Sequence, residues 1–307
     1  MTTTPPASSL ESPVATAGGL ADWLRLLRPR QWVKNGFVAA PLLFAGKAAD
    51  LPMAVDVLLT LAGFCLAASG VYLLNDLVDS REDRAHPVKR HRPLAAGRVT
   101  RSHAMVVAGL LAASGLGLAL AAAPLAGAWV AGYLGLNLAY TFWLKHVVLL
   151  DVFAIAAFFL LRLLAGAAAA EVQPSIWLLL CGGLLALYLG FAKRRHELVL
   201  LGDSSSDHRS VLGHYSPALL DQISAVLLAV TIVAYLMYTL TSETAARVGS
   251  DALSYGVPFV LYGLFRYLFL VHRHSLGSPT ETVFADRPLM VTVLLWVAYS
   301  AWVMYRP

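Results

Sequence analysis

Apolar runs of about 20 residues recur from end to end of this chain, and no other feature restricts its fold as much. They fall near 34–49, 53–74, 103–122, 126–144, 147–168, 174–192, 218–240, 254–272 and 287–305. A run of that length crosses a bilayer's hydrocarbon core as a helix. Lipid offers no partner to a bare N–H or C=O, so a spanning segment must satisfy its backbone internally. The expectation is an all-α integral membrane protein with nine transmembrane helices. Only 13% of residues are charged, against about 25% in soluble domains. Several runs are rich in Gly and Ala, which lets helices approach closely in lipid. Cys65 and Cys181 both lie inside apolar runs, so no disulfide is expected. The net charge of +5 fits contact with anionic lipid or an anionic substrate, and so apolar a chain argues against nucleic acid.

Residues 1–20 are rich in Ser, Thr and Pro, with no basic start and no apolar core. They read as a disordered tail rather than a signal peptide, leaving 21–307 as one transmembrane domain. From residue 21 to 35, Trp23, Leu24, Leu27 and Trp32 alternate with Arg25, Arg28, Arg30 and Lys34. That mixture predicts an interfacial helix running into the first span, with Lys34 and Asn35 at the membrane mouth.

The basic residues set the orientation. With nine crossings, 18 of the 23 Lys and Arg fall on the side of the N-terminus, and only Lys47, Arg247 and Arg306 on the other. Arg162 and Arg266 lie within spans. The N-terminus and every long polar loop should therefore be cytoplasmic, with the C-terminus outside. Chemistry belongs on the inner face.

The densest polar stretch follows the second run. Asn75, Asp76, Asp79 and Asp83 lead into His86, Lys89, Arg90, Arg92 and Arg98. On a helix, Asn75, Asp79 and Asp83 stack at i, i+4 and i+8, drifting about 40° per step, and Asp76 flanks them. Hard oxygens on one face suit Mg²⁺, which uses few protein ligands and keeps waters or phosphate oxygens. The bases downstream suit the phosphates. A solvated charged loop after a membrane helix is the plain alternative, but the acids keep helical register and begin inside the apolar run.

Two further polar sites follow the fourth and sixth runs. The first holds Tyr140, Lys145 and His146, with Asp151 at the start of the fifth span. Tyr140 and Trp143 also suit an interface belt, and Lys145 a positive-inside anchor. Arg162 lies mid-span, where ionisable groups face the bundle interior or a wet cavity. Pairing it with Asp151 would need reach of roughly 16 Å along a helix, so a cavity role is expected. The second site holds Lys193, Arg194, Arg195 and Glu197, with Lys193 and Glu197 on one face. A basic cap on a cytoplasmic helix end is the plain reading there. Residues 202–217 suit either a lid or an ordinary loop, and His272 to Arg287 form another rim candidate. No His pair has helical zinc-ligand spacing with a third partner, so zinc is not expected.

The pattern Asn75-Asp76-x-x-Asp79-x-x-x-Asp83, followed by His86-Pro-x-Lys89-Arg90-x-Arg92-Pro93 and Gly97, resembles the first aspartate-rich motif of the UbiA-type intramembrane prenyltransferase superfamily. The resemblance extends over most of the chain from Trp23. It implies nine helices around a central cavity open to the membrane, with a cytoplasmic cap. Most members carry a second aspartate-rich motif after the sixth span, whereas this chain has Lys193-Arg194-x-x-Glu197-Leu. That departure, with Arg28-Pro-Arg30-Gln-Trp32-Val-Lys34-Asn35, looks like the decaprenyl-phosphate phosphoribosyltransferase branch. The resemblance implies phosphoribosyl diphosphate as donor, a polyprenyl phosphate as acceptor and Mg²⁺ as cofactor. It implies Asn75, Asp76, Asp79 and Asp83 as metal ligands, with Asp76, Asp79 and Asp83 as the catalytic acids. Lys34, Asn35, Lys89, Arg92, Tyr140, Lys145, Arg162, Lys193, Arg194 and Glu197 are the substrate-binding candidates. The implied product is a polyprenyl-phosphoryl-phosphoribose, a precursor for cell-wall pentose. Two rivals remain: prenyl transfer to an aromatic or haem acceptor, which wants a second acid set, and a transporter or lipid-binding scaffold, which would place charge near the midplane.

Overall fold

The structure is a computed structural model and describes residues 19–85, 89–201, 210–241, 251–273 and 279–305. Among them every regular element is a helix. The α-helices are α1 (Leu20–Leu27), α2 (Ala40–Phe44), α3 (Leu51–Val78), α4 (Ser80–Ala85), α5 (Arg101–Ala122), α6 (Pro124–Phe142), α7 (Leu150–Ala169), α8 (Ile176–Leu201), α9 (Pro217–Leu240), α10 (Val257–Arg273), α11 (Pro279–Ala285) and α12 (Arg287–Tyr305). Short 3₁₀ segments at Pro29–Ala39, Lys89–His91, Leu144–His146, Ser210–His214 and Asp251–Gly256 join several of them.

Seven helices among the described residues are long and apolar enough to cross a membrane: α3, α5, α7, α8, α9, α10 with the turn before it, and α12. Two of the nine expected runs fall outside that set. The 34–49 run is not a continuous helix, because Pro29–Ala39 is 3₁₀ and only the five residues of α2 follow. Pro41 and Gly46, whose φ is +71°, limit that helix at its two ends. The run at 126–144 does form the 19-residue α6, but Asn137, Tyr133, Tyr140 and four glycine and proline residues dilute its apolar character. The tail expected at 1–20 lies outside the described residues except at its end, where Leu20 already begins α1.

The chain divides into two compact units, one of Met1–Trp32 with Cys65–Ser114, the other of Val33–Phe64 with Gly115–Pro307. In the first, amphipathic α1 buries Leu26 against Leu73 and Leu77 of α3, Leu94, Val99 and Ala104, with Trp23 packed on the same cluster. The helix ends where Arg28 takes a left-handed conformation, φ +51°, just before Pro29. A non-glycine residue is costly there, so surrounding contacts must hold it. Trp32 Nε1 donates to Ser69 Oγ at 3.0 Å, and Ser69 donates to the Leu27 carbonyl at 2.8 Å. Both bonds pin the chain as it leaves α1. Arg98 pairs with Asp22 at 3.0 Å, tying the 89–98 segment to α1. Gly70 lets α5 approach α3 so closely that a Cβ would come within 2.8 Å of the Ala108 carbonyl.

In the second unit α6, α7, α8 and α9 pack in chain order. The 3₁₀ segment lies against α7 at Gly166, where a Cβ would stand 1.9 Å from the Val38 carbonyl. Ser216 caps α9 by accepting from the Leu219 N–H at 3.2 Å, with Pro217 as the first helical residue. Tyr188, Leu228, Leu264, Tyr267 and Leu289 form a core shared by α8, α9, α10 and α12.

Candidate functional site

The acidic motif sits on a nearly continuous helical ridge. α3 stops at Val78 and α4 begins at Ser80, yet the Asp79 N–H donates to the Asn75 carbonyl at 2.9 Å and the Asp83 N–H to the Asp79 carbonyl at 2.9 Å. The i, i+4, i+8 register expected of these residues therefore survives the break at Asp79. Asn75 and Asp79 are half-buried, while Asp76 and Asp83 are each only 3% exposed. Those two carboxylates meet on Arg92, whose Nη1 lies 3.0 Å from Asp76 Oδ1 and 2.7 Å from Asp83 Oδ2. Arg28 Nη2 adds a third contact at 2.5 Å from the same Asp76 oxygen. Asp76, read from spacing as flanking the ridge, is thus its most heavily engaged acid. Seven residues separate it from Asp83, two helical turns, which sets both on one side.

Arg28 also lies over the ring of Tyr72, 5.3 Å from its centroid, an arrangement that fixes a guanidinium plane. The left-handed bend at Arg28 is what turns its side chain back toward α3. Arg25, Arg28, Asp76, His91, Arg92 and Pro93 line a cleft of about 290 Å³ beside the motif. The residues are suited to phosphate: charge-assisted guanidinium forks match phosphate oxygens. Among the described residues no set of three or more His, Cys, Asp and Glu side chains is gathered as metal ligands are. What the paired carboxylates hold here is arginine. Their chemistry, hard oxygens that share one cation, nonetheless fits a hydrated Mg²⁺, which needs only one or two carboxylates. His86 lies outside the described residues, and Lys89 is half-buried in the 3₁₀ turn before Arg92.

The polar residues after α6 and within α8 form a second cluster. Arg194 is 1% exposed. Its Nε donates to Asp151 Oδ2 at 2.9 Å and its Nη1 to Glu197 Oε2. Lys193 Nζ stands 3.7 Å from the other Glu197 oxygen. The Tyr215 hydroxyl accepts from the Leu149 N–H at 2.8 Å and donates to Asp151 Oδ1 at 3.4 Å. Burial pushes the Tyr215 phenol above its ordinary value, and the Asp151 carboxylate adds to the shift, so it remains a donor at neutral pH. Leu149, whose N–H it accepts, has φ +67°. α8 runs to Leu201, beyond the expected end of the span at 192, so Lys193 and Glu197 lie on a helix rather than a loop. Residues 202–209 of the expected lid lie outside the described residues, and Ser210–His214 is a 3₁₀ turn that Tyr215 anchors.

Arg162 makes a third polar centre. Its Nε donates to Asn35 Oδ1 at 2.7 Å, its Nη1 to the Phe158 carbonyl at 2.7 Å and its Nη2 to the Tyr133 hydroxyl at 3.3 Å. Phe64, Tyr133 and Phe159 surround the guanidinium, their centroids 4.8–5.6 Å away. Asn35 and Arg162, expected at a substrate cavity, are 1% and 3% exposed and are bonded to one another. The Asp151 partnership weighed for Arg162 goes to Arg194 instead. Tyr140 packs edge-on against Phe158 at 5.7 Å, and Lys34 and Lys145 are half-buried.

Spacing placed the acids on one helical ridge and Arg92 beside them, but gave no sign of Arg25, Arg28 and His91 in the cleft. The two arginines looked like interface anchors on α1. The Arg28-Pro29 break was the available signal, because a proline there forces the chain to turn. Elsewhere, Asp221 of α9 pairs with Arg195 and lies 3.3 Å from His272 Nε2. Arg266 pairs with Asp286 at 2.8 Å, so the rim residues at 272–287 join helices to one another.

The profile of the UbiA prenyltransferase family matches residues 36–290. The decaprenyl-phosphate phosphoribosyltransferase of Mycolicibacterium smegmatis is 34% identical over 285 residues, covering 89% of both chains. Its namesake in Corynebacterium glutamicum is 34% identical, covering 91% of this chain and 85% of that one. The Mycobacterium tuberculosis protein of the same name is 33% identical, covering 91% and 93%. Among solved structures, a UbiA homologue from Archaeoglobus fulgidus bound to GPP and Mg²⁺ superposes with a TM-score of 0.68 at 20% identity, covering 92% of this chain and 99% of that one. The same homologue bound to DMAPP and Mg²⁺ gives 0.69 at 19% identity, with 93% and 100% covered. At that level of identity the likeness concerns the fold.

Proposed function

The chain belongs to the UbiA prenyltransferase family, and from that premise we propose that it moves the 5-phosphoribosyl group of phosphoribosyl diphosphate onto a polyprenyl phosphate, decaprenyl phosphate or a near relative. The observation that carries this reading is the 33–34% identity, over about nine-tenths of the chain, to proteins named for that transfer. The site supports it. In a prenyl-to-aromatic enzyme a second acid set would face the diphosphate, but here Glu197 is neutralised by Arg194 and Lys193. Two phosphorylated substrates call for many cations; Arg25, Arg28, Arg92 and Lys89 near the ridge would supply some, with Lys34, Lys145 and Lys193 as further candidates.

In the reaction the bond from ribose C1 to the leaving diphosphate breaks, and an oxygen of the polyprenyl phosphate bonds to C1. Inorganic diphosphate departs. A phosphate monoester is anionic at neutral pH, so its attack needs no general base. Asn75, Asp76, Asp79 and Asp83 would hold Mg²⁺, which when bound supplies Lewis-acid neutralisation of the leaving diphosphate. Arg92 and Arg28, paired with these carboxylates, would present the remaining N–H groups of their forks to phosphate oxygens. Lys193, steadied by Glu197, and Lys145 would position anionic groups. Asn35 and Arg162 would act structurally, fixing the 3₁₀ segment that carries Lys34 against α7. Positioning and charge stabilisation then lower the barrier.

We infer nine crossings, with α6 and the 29–44 segment added to the seven apolar helices. The length of α6 supports its inclusion: 19 residues of helix reach roughly 28 Å, about the thickness of a hydrocarbon core. Nine crossings and the basic bias put the N-terminus and the motifs in the cytoplasm and the C-terminus outside, in a bacterial cell membrane. From residue 21 on, the chain would work as one catalytic domain. The direct test incubates purified protein with polyprenyl phosphate, Mg²⁺ and radiolabelled phosphoribosyl diphosphate. Label should enter the lipid phase. Prenylation of an aromatic acceptor with no ribosyl transfer would defeat the proposal.

A further inference from the structure

The cleft between α1 and the 89–93 segment has an uneven charge. Three guanidiniums, from Arg25, Arg28 and Arg92, and the His91 ring face one carboxylate. Arg28 and Arg92 already neutralise that carboxylate from two directions. Arg25 is exposed and has no ion pair among the described residues, so its charge is unspent. At about 290 Å³ the cleft has several times the room of a water, about 30 Å³ each. An anion with several oxygens fits such a place.

We infer that this cleft binds a phosphate monoester, and, on the reading proposed above, that it is the 5-phosphate of the donor. A phosphoribosyl diphosphate carries anionic groups at both ends of its ribose, so one cationic pocket cannot serve both. The diphosphate end belongs with the acids of the ridge. The cleft adjoins that ridge at Asp76 and offers the second set of cations. Guanidiniums grip phosphate bidentately and keep their charge at every physiological pH. The head of the lipid acceptor has the same chemistry but brings an isoprenoid chain with it. Among the described residues Pro93 is the only apolar one lining the cleft, so no row of apolar side chains there matches such a chain. Arg28 has a double role here, holding Asp76 while presenting the rest of its fork to the anion. Its left-handed backbone, φ +51°, is the strain that sets this geometry.

The test uses full-length protein in nanodiscs of zwitterionic lipid, titrated calorimetrically with ribose 5-phosphate. Arg25→Gln and His91→Gln remove lining groups without touching the Asp76 pairs. Wild-type protein should bind ribose 5-phosphate, and Arg25→Gln should weaken that binding about tenfold, the scale of one charge-assisted contact. The same variant should raise KM for phosphoribosyl diphosphate by a similar factor while KM for polyprenyl phosphate moves less than about twofold. Equal binding of ribose 5-phosphate by wild type and both variants would overturn the inference. A shift confined to the polyprenyl phosphate KM would assign the cleft to the acceptor's head and overturn it equally. Protein that binds ribose 5-phosphate through Arg25 yet transfers no ribosyl group would sink the proposed function and leave the cleft standing.

Discussion

The residues with most at stake are those whose charge is buried. Asp83 and Asp76 are almost wholly enclosed and share Arg92, so removing one acid disturbs the ridge and its counter-ion together. Asp83→Ala should cut ribosyl transfer by about 10²–10³-fold, the scale of losing one electrostatic anchor of a transition state. Asp79→Ala should do likewise while the protein stays folded, and both losses should be read beside a magnesium titration. Wild-type turnover with unchanged metal dependence would remove these residues from the metal site. Arg194 invites a different experiment. Arg194→Ala removes the guanidinium that neutralises the fully buried Asp151 and should cost about 3–5 kcal/mol in thermal or denaturant unfolding. Arg194→Lys should recover little, because one ammonium cannot reach both Asp151 and Glu197 as the planar fork does. A variant as stable as wild type would return Arg194 to the substrate-binding set.

Among the elements, the 3₁₀ segment Pro29–Ala39 is the one that departs from ordinary helical structure. Its seat on α7 depends on Gly166, whose missing Cβ makes room for the Val38 carbonyl, and on the Arg162–Asn35 bond. Gly166→Ala should lower the melting temperature in detergent, since backbone rather than a flexible side chain stands in the way. Asn35→Ala should lower it as well, by removing the acceptor of the buried Arg162 Nε. Gly109→Ala, with open space around its Cβ position, serves as the neutral control. Apolar run length located the helices well: the last run, 287–305, coincides with α12, and 103–122 differs from α5 by two residues. At 34–49 it did not give the conformation, because hydropathy reports burial and not helix type. The prolines and glycines that limit regular helix there carry the information instead.

For the whole molecule the prediction concerns topology. A reporter fused after residue 305 should be active outside the cell, as alkaline phosphatase, and a cytoplasmic fluorescent reporter at the same place should stay dark. The reverse result would give an even number of crossings and remove either α6 or the 29–44 segment from the count. The family, the membrane character, the acidic ridge and Arg92 beside it were legible in the chain itself. Length and polarity decide what a bilayer accepts, and helical spacing alone decides which side chains share a face. The choice of partners was not legible. Arg28 reaches Asp76 across 48 residues and Arg194 takes Asp151 across 43, while Arg162 spends itself on Asn35. A buried charge takes the counter-ion that packing brings within a few ångströms, and only the tertiary structure sets that distance.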